Sequence, residues 1–394
     1  MTISSTIKSQ IESGSWIRKM FEEGALLKKK YGEENVFDLS LGNPIMEPPE
    51  EFFEQLQYLA SNPKPGLHRY MPNAGYLSTR TSIAKQLTKE IGLNFIAEDI
   101  VMTCGAGGAL NITLKTLLDP GDEVIIFSPF FAEYIFYIQN HNGKYKIVSP
   151  DNNFYPDLNM LDKTITKKTK AILINSPNNP SGIIYPPELL EKLSIIINKK
   201  EIEFQTDIFV ISDEPYKKIT FDNVKCPEIF YYFNKSIIAT SHSKDLALAG
   251  NRIGYIAINP KYKYKSEIID GITFCNRTLG FVNAPAIMQH IVENLQEITI
   301  DVNTYKSKRD FMYKNLTDMG YYITKPQGAF YMFPKSPIKN ELEFIEELKK
   351  ENVLVVPGRG FGIEGYFRIS YCLDDKTLKG SLKGFQSAIN KFIN

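Results

Sequence analysis

The chain has little of several features that narrow a protein's function quickly. Its 394 residues include only four cysteines, four histidines and one tryptophan, and 46 basic side chains nearly balance 45 acidic ones, which leaves a net charge of +1. A near-neutral chain has no long-range field that would attract nucleic acid or an anionic membrane surface. We therefore expect small-molecule partners and copies of the same chain, and no nucleic acid.

Metal, disulfide and membrane signals are missing as well. The cysteines Cys104, Cys226, Cys275 and Cys372 show no C-x-x-C spacing, so the sequence indicates neither a metal site nor a disulfide framework. No stretch approaches the ~20 apolar residues that a membrane span needs, and the first residues contain no apolar run of signal-peptide length. The sequence predicts a cytoplasmic protein with reduced thiols, no metal and no membrane partner.

What the sequence does contain is a long alternation of apolar runs and helical patterns. After an amphipathic helix predicted from Ile11 to Tyr31, seven apolar runs follow. They span Ile100–Thr103, Val124–Phe127, Tyr145–Val148, Ala171–Asn175, Ile208–Ser212, Ile237–Thr240 and Ile253–Ile258. This alternation predicts an α/β fold in which a mostly parallel seven-stranded sheet is covered on both faces and binds ligands at the carboxyl ends of its strands.

The segment after Met319 predicts a smaller α+β domain. Its apolar runs predict strands at Ala329–Phe333, Val353–Val356 and Tyr366–Ile369, and its amphipathic patterns predict helices at Glu341–Glu351 and from Lys376 onward. An arginine, Arg368, lies inside the last of these apolar strands. Alternation alone could point its side chain to solvent.

Lys244 lies in the turn that follows the predicted strand Ile237–Thr240. The turn Ser241-His242-Ser243-Lys244 connects that strand, through Gly250, Arg252 and Gly254, to another apolar strand. Strands of this kind are buried, and burial lowers the pKa of a lysine toward the range in which the free amine attacks a carbonyl to form an imine. Most lysines lie in solvated turns at the surface. The residues around Lys244 therefore determine whether a surface lysine or a reactive amine is the better interpretation.

Two other strand ends suit charged ligands. The stretch from Thr103 to Leu110, Thr-Cys-Gly-Ala-Gly-Gly-Ala-Leu, leads from a strand into a helix, where exposed N–H groups and the positive helix end favour an anion. Asp213 follows the strand Ile208–Ser212, and a carboxylate buried there is costly unless it is paired. Each segment alone is also compatible with an ordinary turn.

Taken together, these segments are similar to a known family. Ser241-x-x-Lys244 followed by Gly250-x-Arg252-x-Gly254 resembles the pyridoxal-phosphate lysine segment of class I/II aminotransferases, the aspartate aminotransferase family of the type I fold. The resemblance implies that Lys244 carries pyridoxal 5′-phosphate as an imine and that Ser241 and Arg252 hold its phosphate. It also implies a helix and arm at 1–44 belonging to the small domain, a large cofactor-binding domain at 45–290 and a small domain at 291–394.

The same resemblance implies roles for other cofactor-binding residues. The Gly-rich turn matches the family's phosphate cup, which gives Gly105, Ala106 and Gly107. Phe131, rather than Phe130, would stack on the ring, with Tyr134 a weaker neighbour. Asp213 would pair with the ring nitrogen, and Asn179, within Asn175-Ser176-Pro177-Asn178-Asn179-Pro180-Ser181-Gly182, and Tyr216 would bind the phenolic oxygen.

The resemblance also implies how the substrate is bound. Gly42, Asn179 and Arg368 would contact the substrate carboxylate, and a planar guanidinium suits a carboxylate better than an ammonium does. Tyr70 would reach the cofactor phosphate of the neighbouring subunit, which implies a homodimer with shared active sites. Arg277 stays open between a role in binding a substrate side-chain carboxylate and an ordinary surface position.

The sequence thus predicts an aminotransferase that moves an amino group from an L-amino acid to a 2-keto acid, with aspartate, glutamate or aromatic amino acids as possible donors. An alternative on the same fold is a pyridoxal-phosphate-dependent carbon–sulfur β-lyase, and the sequence does not decide between the two. An effector-binding regulator is disfavoured, because Gly42 comes too early for a preceding DNA-binding domain and the first helix lacks a basic recognition face.

Overall fold

Strands and helices alternate through most of the chain in the computed structural model, which describes residues 2–12, 16–63 and 65–392. The strands in these ranges are β1 Phe37–Asp38, β2 Ile100–Thr103, β3 Glu123–Phe127, β4 Lys144–Val148, β5 Thr169–Asn175, β6 Phe209–Asp213, β7 Ser236–Ser241, β8 Gly254–Ile258, β9 Tyr331–Met332, β10 Val353–Leu354, β11 Val356–Pro357 and β12 Phe367–Ser370. The α-helices are α1 Ser5–Glu12, α2 Trp16–Tyr31, α3 Glu50–Ser61, α4 Leu77–Ile91, α5 Gly105–Leu117, α6 Glu133–Asn140, α7 Leu158–Thr164, α8 Pro187–Phe204, α9 Lys265–Thr278, α10 Ala286–Val292, α11 Val302–Asp318, α12 Glu341–Lys350 and α13 Asp375–Asn390. Short 3₁₀ helices span Glu33–Asn35, Ala97–Asp99, Ile229–Tyr231, Ala249–Asn251 and Gly358–Phe361.

The predicted seven-stranded sheet forms the centre of the molecule. Its strand order is β2-β8-β7-β6-β5-β3-β4, and only β8 runs against its neighbours. Strands β2, β3 and β6 are buried along their whole length, as expected for a sheet covered by helices on both faces. Edge strand β4 instead exposes Lys144 and Lys146, whose charges oppose pairing with another sheet edge.

The carboxyl ends of six strands lie at one edge of this sheet. Strands β2, β3, β4, β5, β6 and β7 run in the same direction, so residues that follow neighbouring strands lie close together although they are far apart in sequence. In register, Asn175 lies beside Asp213, and Asp213 lies beside Ala239. The segments that were predicted to bind ligands therefore converge here.

Two smaller sheets belong to the C-terminal region. Strands β11, β12 and β9 form an antiparallel sheet, and β1 pairs with β10 in parallel. Leu39, next to β1, is buried in one hydrophobic cluster with side chains from α11, α12 and α13. The start of the chain thus packs on its C-terminal region, and the boundaries 1–44, 45–290 and 291–394 stay a prediction.

Some predicted elements differ from those observed. The helix predicted from Ile11 to Tyr31 is α2 plus the end of α1, and positions 13–15 lie outside the described residues. The run Val353–Val356 is divided between two sheets, because β10 pairs with β1 whereas β11 pairs with β12. No helix in the described ranges combines the length and apolar character that crossing a membrane requires.

Gly254 of β8 allows its neighbours β2 and β7 to approach it closely. Gly254 lies opposite Thr103 of β2 on one side and Ser241 of β7 on the other. A Cβ atom at this position would lie 2.3 Å from the carbonyl oxygen of Thr240 and 3.0 Å from the main chain of Gly105. Because these are backbone atoms in a close-packed interior, they cannot rotate away. Only glycine fits between the two strands.

We expect Gly254→Ala to lower the free energy of unfolding by about 1–3 kcal/mol, the usual cost of overpacking a buried position. Urea unfolding followed by circular dichroism measures this. Gly250→Ala is the matched control, because nothing lies within 4 Å of a Cβ atom at that nearby glycine. Equal unfolding free energies of the two variants would show that the close approach imposes no constraint.

Candidate active site

A cavity of about 310 Å³ opens at the carboxyl ends of the central strands. Its lining brings together residues from segments that span most of the chain. Among the predicted site residues, those in the lining are Gly42, Ala106, Gly107, Phe131, Asn179, Asp213, Tyr216, Ser241, Lys244, Arg252 and Arg368. The lining therefore contains three cations and one acid, in a space large enough for a small molecule.

A second cavity of about 310 Å³ shares Pro215 and Ser241 with the first and is lined by other charged residues. Three of its charged residues pair with one another, since Lys217 Nζ lies 2.9 Å from a carboxylate oxygen of Glu214 and 2.5 Å from one of Glu228. Volume does not distinguish the two cavities. The charged groups without ionic partners, described next, make the first cavity the candidate active site.

Lys244 presents an amine in this cavity. Its Nζ donates a hydrogen bond to the carbonyl oxygen of Gly42 at 3.0 Å and lies 5.3 Å from the centre of the Phe330 ring. Burial lowers the pKa of Lys244 to about 8, and the positive charges of Arg368 and Arg252 act in the same direction. The free amine is therefore far more populated near neutral pH than in an ordinary lysine, which suits a nucleophile or a base.

Asp213 presents a carboxyl group that is only half satisfied. Tyr134 Oη donates to Oδ2 at 2.5 Å, and the side-chain amide of Asn175 donates to the main-chain oxygen of Asp213 at 2.8 Å. The other carboxyl oxygen, Oδ1, is buried and has no hydrogen-bond partner among the described residues. Burial, with a smaller contribution from Glu214, raises the pKa of Asp213 to about 7, although the Tyr134 hydrogen bond lowers it. A cationic N–H donor would satisfy this oxygen.

Arg368 is a buried cation whose protein partners are all uncharged. Its side chain is 2% exposed, its Nη1 donates to Asn179 Oδ1 at 3.0 Å, and its Nη2 donates to the main-chain oxygen of Ser40 at 2.5 Å. The rings of Tyr331 and Phe361 lie 4.6 and 4.9 Å from its central carbon. Burial lowers the pKa of Arg368. A buried charge without a counterion is costly, so the position favours an incoming carboxylate.

Two tyrosine hydroxyls meet in the lining of the same cavity. The Oη atoms of Tyr216 and Tyr331 are 3.0 Å apart, and their rings are nearly perpendicular. Burial raises the pKa of Tyr331 to about 12 and that of Tyr216 well above its ordinary value. Both hydroxyls therefore keep their protons at neutral pH and can donate hydrogen bonds.

The opposite end of the cavity suits an anion. Helix α5 begins there at Gly105, whose φ of +73° favours glycine, and a Cβ atom at that position would lie 2.9 Å from Arg252 Nη2. Ser241 Oγ donates to Ser243 Oγ at 3.0 Å, and both residues line the cavity. The free N–H groups of a helix N-terminus beside a guanidinium form an anion site.

Four aromatic or charged residues named from the sequence occupy different environments. Phe131 lines the cavity, whereas Phe130 is buried in the core. Tyr70 is 91% exposed and lines a separate surface pocket. Arg277 is exposed on α9, with its guanidinium 5.4 Å from the Phe274 ring. Neither Tyr70 nor Arg277 lines the cavity.

Comparison with known proteins identifies the family. The sequence profile described as "Aminotransferase class I and II" matches residues 34–384. The chain belongs to this family. This chain is 32% identical over 355 residues to the probable aspartate aminotransferase of Methanocaldococcus jannaschii, and the alignment covers 88% of this chain and 91% of that protein. It is 30% identical over 389 residues to aromatic-amino-acid aminotransferase 2 of Thermococcus litoralis, with 96% of each chain covered.

A solved structure gives the same result. An amino transferase from Eubacterium rectale superposes with a TM-score of 0.96 at 36% sequence identity, covering 100% of both chains. The predicted fold and the predicted pyridoxal-phosphate-dependent transfer of an amino group are thereby confirmed. Each of these relatives is named as an aminotransferase, so nothing in them supports the alternative β-lyase.

The residues present fit pyridoxal phosphate. The buried, unpartnered Oδ1 of Asp213 suits a protonated ring nitrogen, and the amine of Lys244 suits an aldehyde. The N-terminus of α5 beside Arg252 suits a phosphate. The residues that line the cavity therefore match the ring nitrogen, the aldehyde and the phosphate of the cofactor.

Several residues of the site gave weak or no signals in the sequence. The sequence predicts Tyr134 only as a neighbour of Phe131, whereas its hydroxyl contacts Asp213; its position three residues after Phe131 is the signal that could have indicated this. Asn175 accepts a hydrogen bond from the main-chain N–H of Asn179 at 2.7 Å, and its position at the end of an apolar strand was a usable signal. Tyr331 lies in a strand far along the chain, and no local pattern indicates that it reaches Arg368.

We expect the stability of the cofactor-free protein to depend on the pH through Asp213. Its folded-state pKa of about 7 lies above the ordinary value of 3.8, so the stabilisation is complete below that ordinary value and is lost as the pH rises through about 7. Relative to Asp213→Asn, the wild-type protein should lose about 1.4 kcal/mol of unfolding free energy per pH unit between pH 4 and 7.

Urea unfolding of both cofactor-free proteins at pH 5, 6 and 7 measures this dependence. Because the variant retains every other titrating group, the difference between the two proteins isolates Asp213. A constant difference across this range would mean that the carboxyl group is already ionised and paired in the folded protein.

Proposed function

We propose that Arg368 binds the α-carboxylate of the amino donor and that Lys244 moves protons at the donor's α-carbon. The observation that supports this is the buried guanidinium of Arg368, whose protein partners are uncharged, in the same cavity as the amine of Lys244. A planar guanidinium can bind a carboxylate through two parallel hydrogen bonds. Gly42 and Asn179, which contact Lys244 and Arg368, would complete the substrate site.

Lys244 would both hold the cofactor covalently and catalyse proton transfer. When bound, pyridoxal phosphate supplies a carbonyl carbon that accepts the amino group and a ring that withdraws electrons from the donor's α-carbon. The free amine of Lys244, with a pKa of about 8, is suited to accept a proton from that carbon and to return one later. The hydrogen bond to the Gly42 carbonyl oxygen would orient this amine.

The other predicted residues would hold the cofactor at three places. Asp213 would pair with the ring nitrogen, while Tyr134 fixes the orientation of its carboxyl group. Tyr216 and Asn179 would bind the phenolic oxygen, and Phe131 would cover one ring face. The residues proposed for the phosphate are Gly105, Ala106, Gly107, Ser241 and Arg252.

An aromatic L-amino acid is the donor that this cavity favours. The cations in its lining are Lys244, Arg252 and Arg368, and the roles above use all three. A second donor carboxylate would lack a cationic partner there, whereas lining residues such as Leu41 and Tyr331 offer apolar surface. For aspartate or glutamate, the exposed Arg277 of a neighbouring subunit is a candidate to supply the missing charge.

We expect Arg368→Lys to raise KM for the amino donor about 100-fold, because a point charge cannot replace two hydrogen bonds to a carboxylate. Steady-state kinetics with L-phenylalanine and with L-aspartate, each with 2-oxoglutarate as acceptor, measure this. Both values of KM should rise, and the wild-type value should be lower for phenylalanine than for aspartate.

The matched control is Arg359→Lys. Arg359 pairs with Glu341 at 2.8 Å outside the cavity, so its replacement should leave both values of KM unchanged. Wild-type KM values retained by Arg368→Lys would contradict the assignment of the α-carboxylate. Release of ammonia without any keto acid acceptor would contradict amino-group transfer itself.

The active sites would be shared between two subunits of a homodimer. Tyr70 is 91% exposed and lies away from the cavity of its own subunit, which supports a role at a neighbouring one. Its hydroxyl would bind the phosphate of the partner's cofactor. A location in the cytoplasm remains a prediction.

Hybrid dimers test this sharing directly. We expect a dimer that combines one Lys244→Ala subunit with one Tyr70→Phe subunit to contain one fully wild-type site, because Lys244 and Tyr70 of each site come from different chains. Co-expression with two affinity tags isolates the hybrid, and cofactor titration measures its sites.

One site with wild-type cofactor affinity per hybrid dimer is the expected result, whereas the Tyr70→Phe homodimer should bind the cofactor more weakly. If Tyr70 acted within its own subunit, the hybrid would contain no wild-type site. A mass equal to a single chain in light scattering would also contradict the proposal.

A further inference from the structure

The phosphate end of the cavity is poor in side-chain donors on helix α5. Cys104, at the N-cap position, makes no side-chain capping hydrogen bond, and Ala106 and Gly107 in the first turn have no polar side chains. The helix therefore offers an anion only its main-chain N–H groups and its positive end. Any further hydroxyl donor at this place has to come from another element.

Helix α6 brings such a hydroxyl to this place. Tyr137 lies one turn after Tyr134 and lines the same cavity. Its Oη lies 3.3 Å from the position that a Cβ atom at Gly107 would occupy. The tyrosine hydroxyl thus fills the space that a side chain in the first turn of α5 would otherwise take.

The electrostatic surroundings of Tyr137 suit a hydrogen-bond donor. Burial, with a contribution from Glu133, raises the pKa of Tyr137 to about 12, while the positive charge of Arg252 acts in the opposite direction. The hydroxyl keeps its proton at neutral pH, and the guanidinium that attracts an anion is near enough to influence it. A neutral donor beside a guanidinium and a helix N-terminus is suited to bind a phosphate oxygen.

We propose that Tyr137 Oη is a ligand of the cofactor phosphate and takes the place of the hydroxyl side chain that the first turn of α5 lacks. The inference rests on the proposed position of the phosphate between α5 and Arg252. Helix α6 then supports both ends of the cofactor, since Tyr134 donates to Asp213 and Tyr137 donates one turn later to the phosphate.

Replacement by phenylalanine separates this role from simple packing. Tyr137→Phe keeps the ring and removes only the hydroxyl. The dissociation constant of pyridoxal 5′-phosphate should rise about 10- to 100-fold, the usual range for losing a hydrogen bond to a charged group. The dissociation constant of pyridoxal, which has no phosphate, should stay the same. Titration of the cofactor-free, full-length chain, followed by absorbance, measures both constants.

A rescue variant tests the position of the hydroxyl. In Tyr137→Phe, the space beside residue 107 is free of the phenol oxygen, so Gly107→Ser can add a hydroxyl from α5. The double variant should recover most of the lost affinity for pyridoxal phosphate. It should also recover the competition by inorganic phosphate that Tyr137→Phe weakens.

Tyr134→Phe is the matched control, because it removes a hydroxyl one turn away that contacts Asp213 instead. It should change the affinities for pyridoxal phosphate and for pyridoxal by the same factor. Thermal unfolding of each variant shows whether the fold is intact.

Two results would overturn the inference: an unchanged affinity of Tyr137→Phe for pyridoxal phosphate, or an equal loss of affinity for both compounds. A wild-type chain that binds pyridoxal as tightly as pyridoxal phosphate would instead refute the proposed phosphate site. The failure of the inference and the failure of the proposed function are therefore distinguishable.

Discussion

The buried carboxyl group of Asp213 is the constraint on which the rest of the cavity depends. Its position at the end of β6 puts it between two neighbouring strand ends, Tyr134 fixes its orientation, and Asn175 holds the main chain of the same residue. One of its oxygens is left without a partner in an environment of low polarity. A group held in this way binds a cation in one geometry only, so it determines where a ring nitrogen can lie and how the other residues must surround it.

The cations of the cavity, like Asp213, are held in positions where they lack an oppositely charged partner. Arg368 is buried among neutral oxygens and aromatic rings, and burial disfavours the charge of Lys244, with a smaller contribution from the positive charges of Arg368 and Arg252. Such arrangements are costly for the protein alone. Ligands that supply the missing opposite charges remove this cost, so their binding also stabilises the folded chain.

The sequence was sufficient for the fold and for the residues that follow the central strands. Strands that are buried on both faces have sequences that are continuous apolar runs. Neighbouring parallel strands have their carboxyl ends at the same edge of the sheet, however far apart they lie in the sequence. It was insufficient for contacts between segments that lie far apart in the chain. Nothing near Tyr331 indicates that its hydroxyl meets that of Tyr216, because the two residues are 115 positions apart and come together only when their segments pack into one hydrophobic cluster.

Helix boundaries and short strands were also beyond a local pattern. The run Val353–Val356 has the composition of one strand, yet its two halves pair with strands from opposite ends of the chain. The roles of Tyr134 and Tyr137 likewise become visible only when α6 is seen beside β6 and α5.

Strand β8 has a consequence for the way the chain acquires its structure. In the central sheet, β2 at residues 100–103 pairs only with β8 at residues 254–258, and this contact adjoins both the start of α5 and Arg252. A contact between such distant segments closes a long loop, which is slow and entropically costly. During synthesis, a nascent chain that has not yet reached β8 cannot assemble the anion-binding end, so the ability to retain vitamin B6 should emerge late.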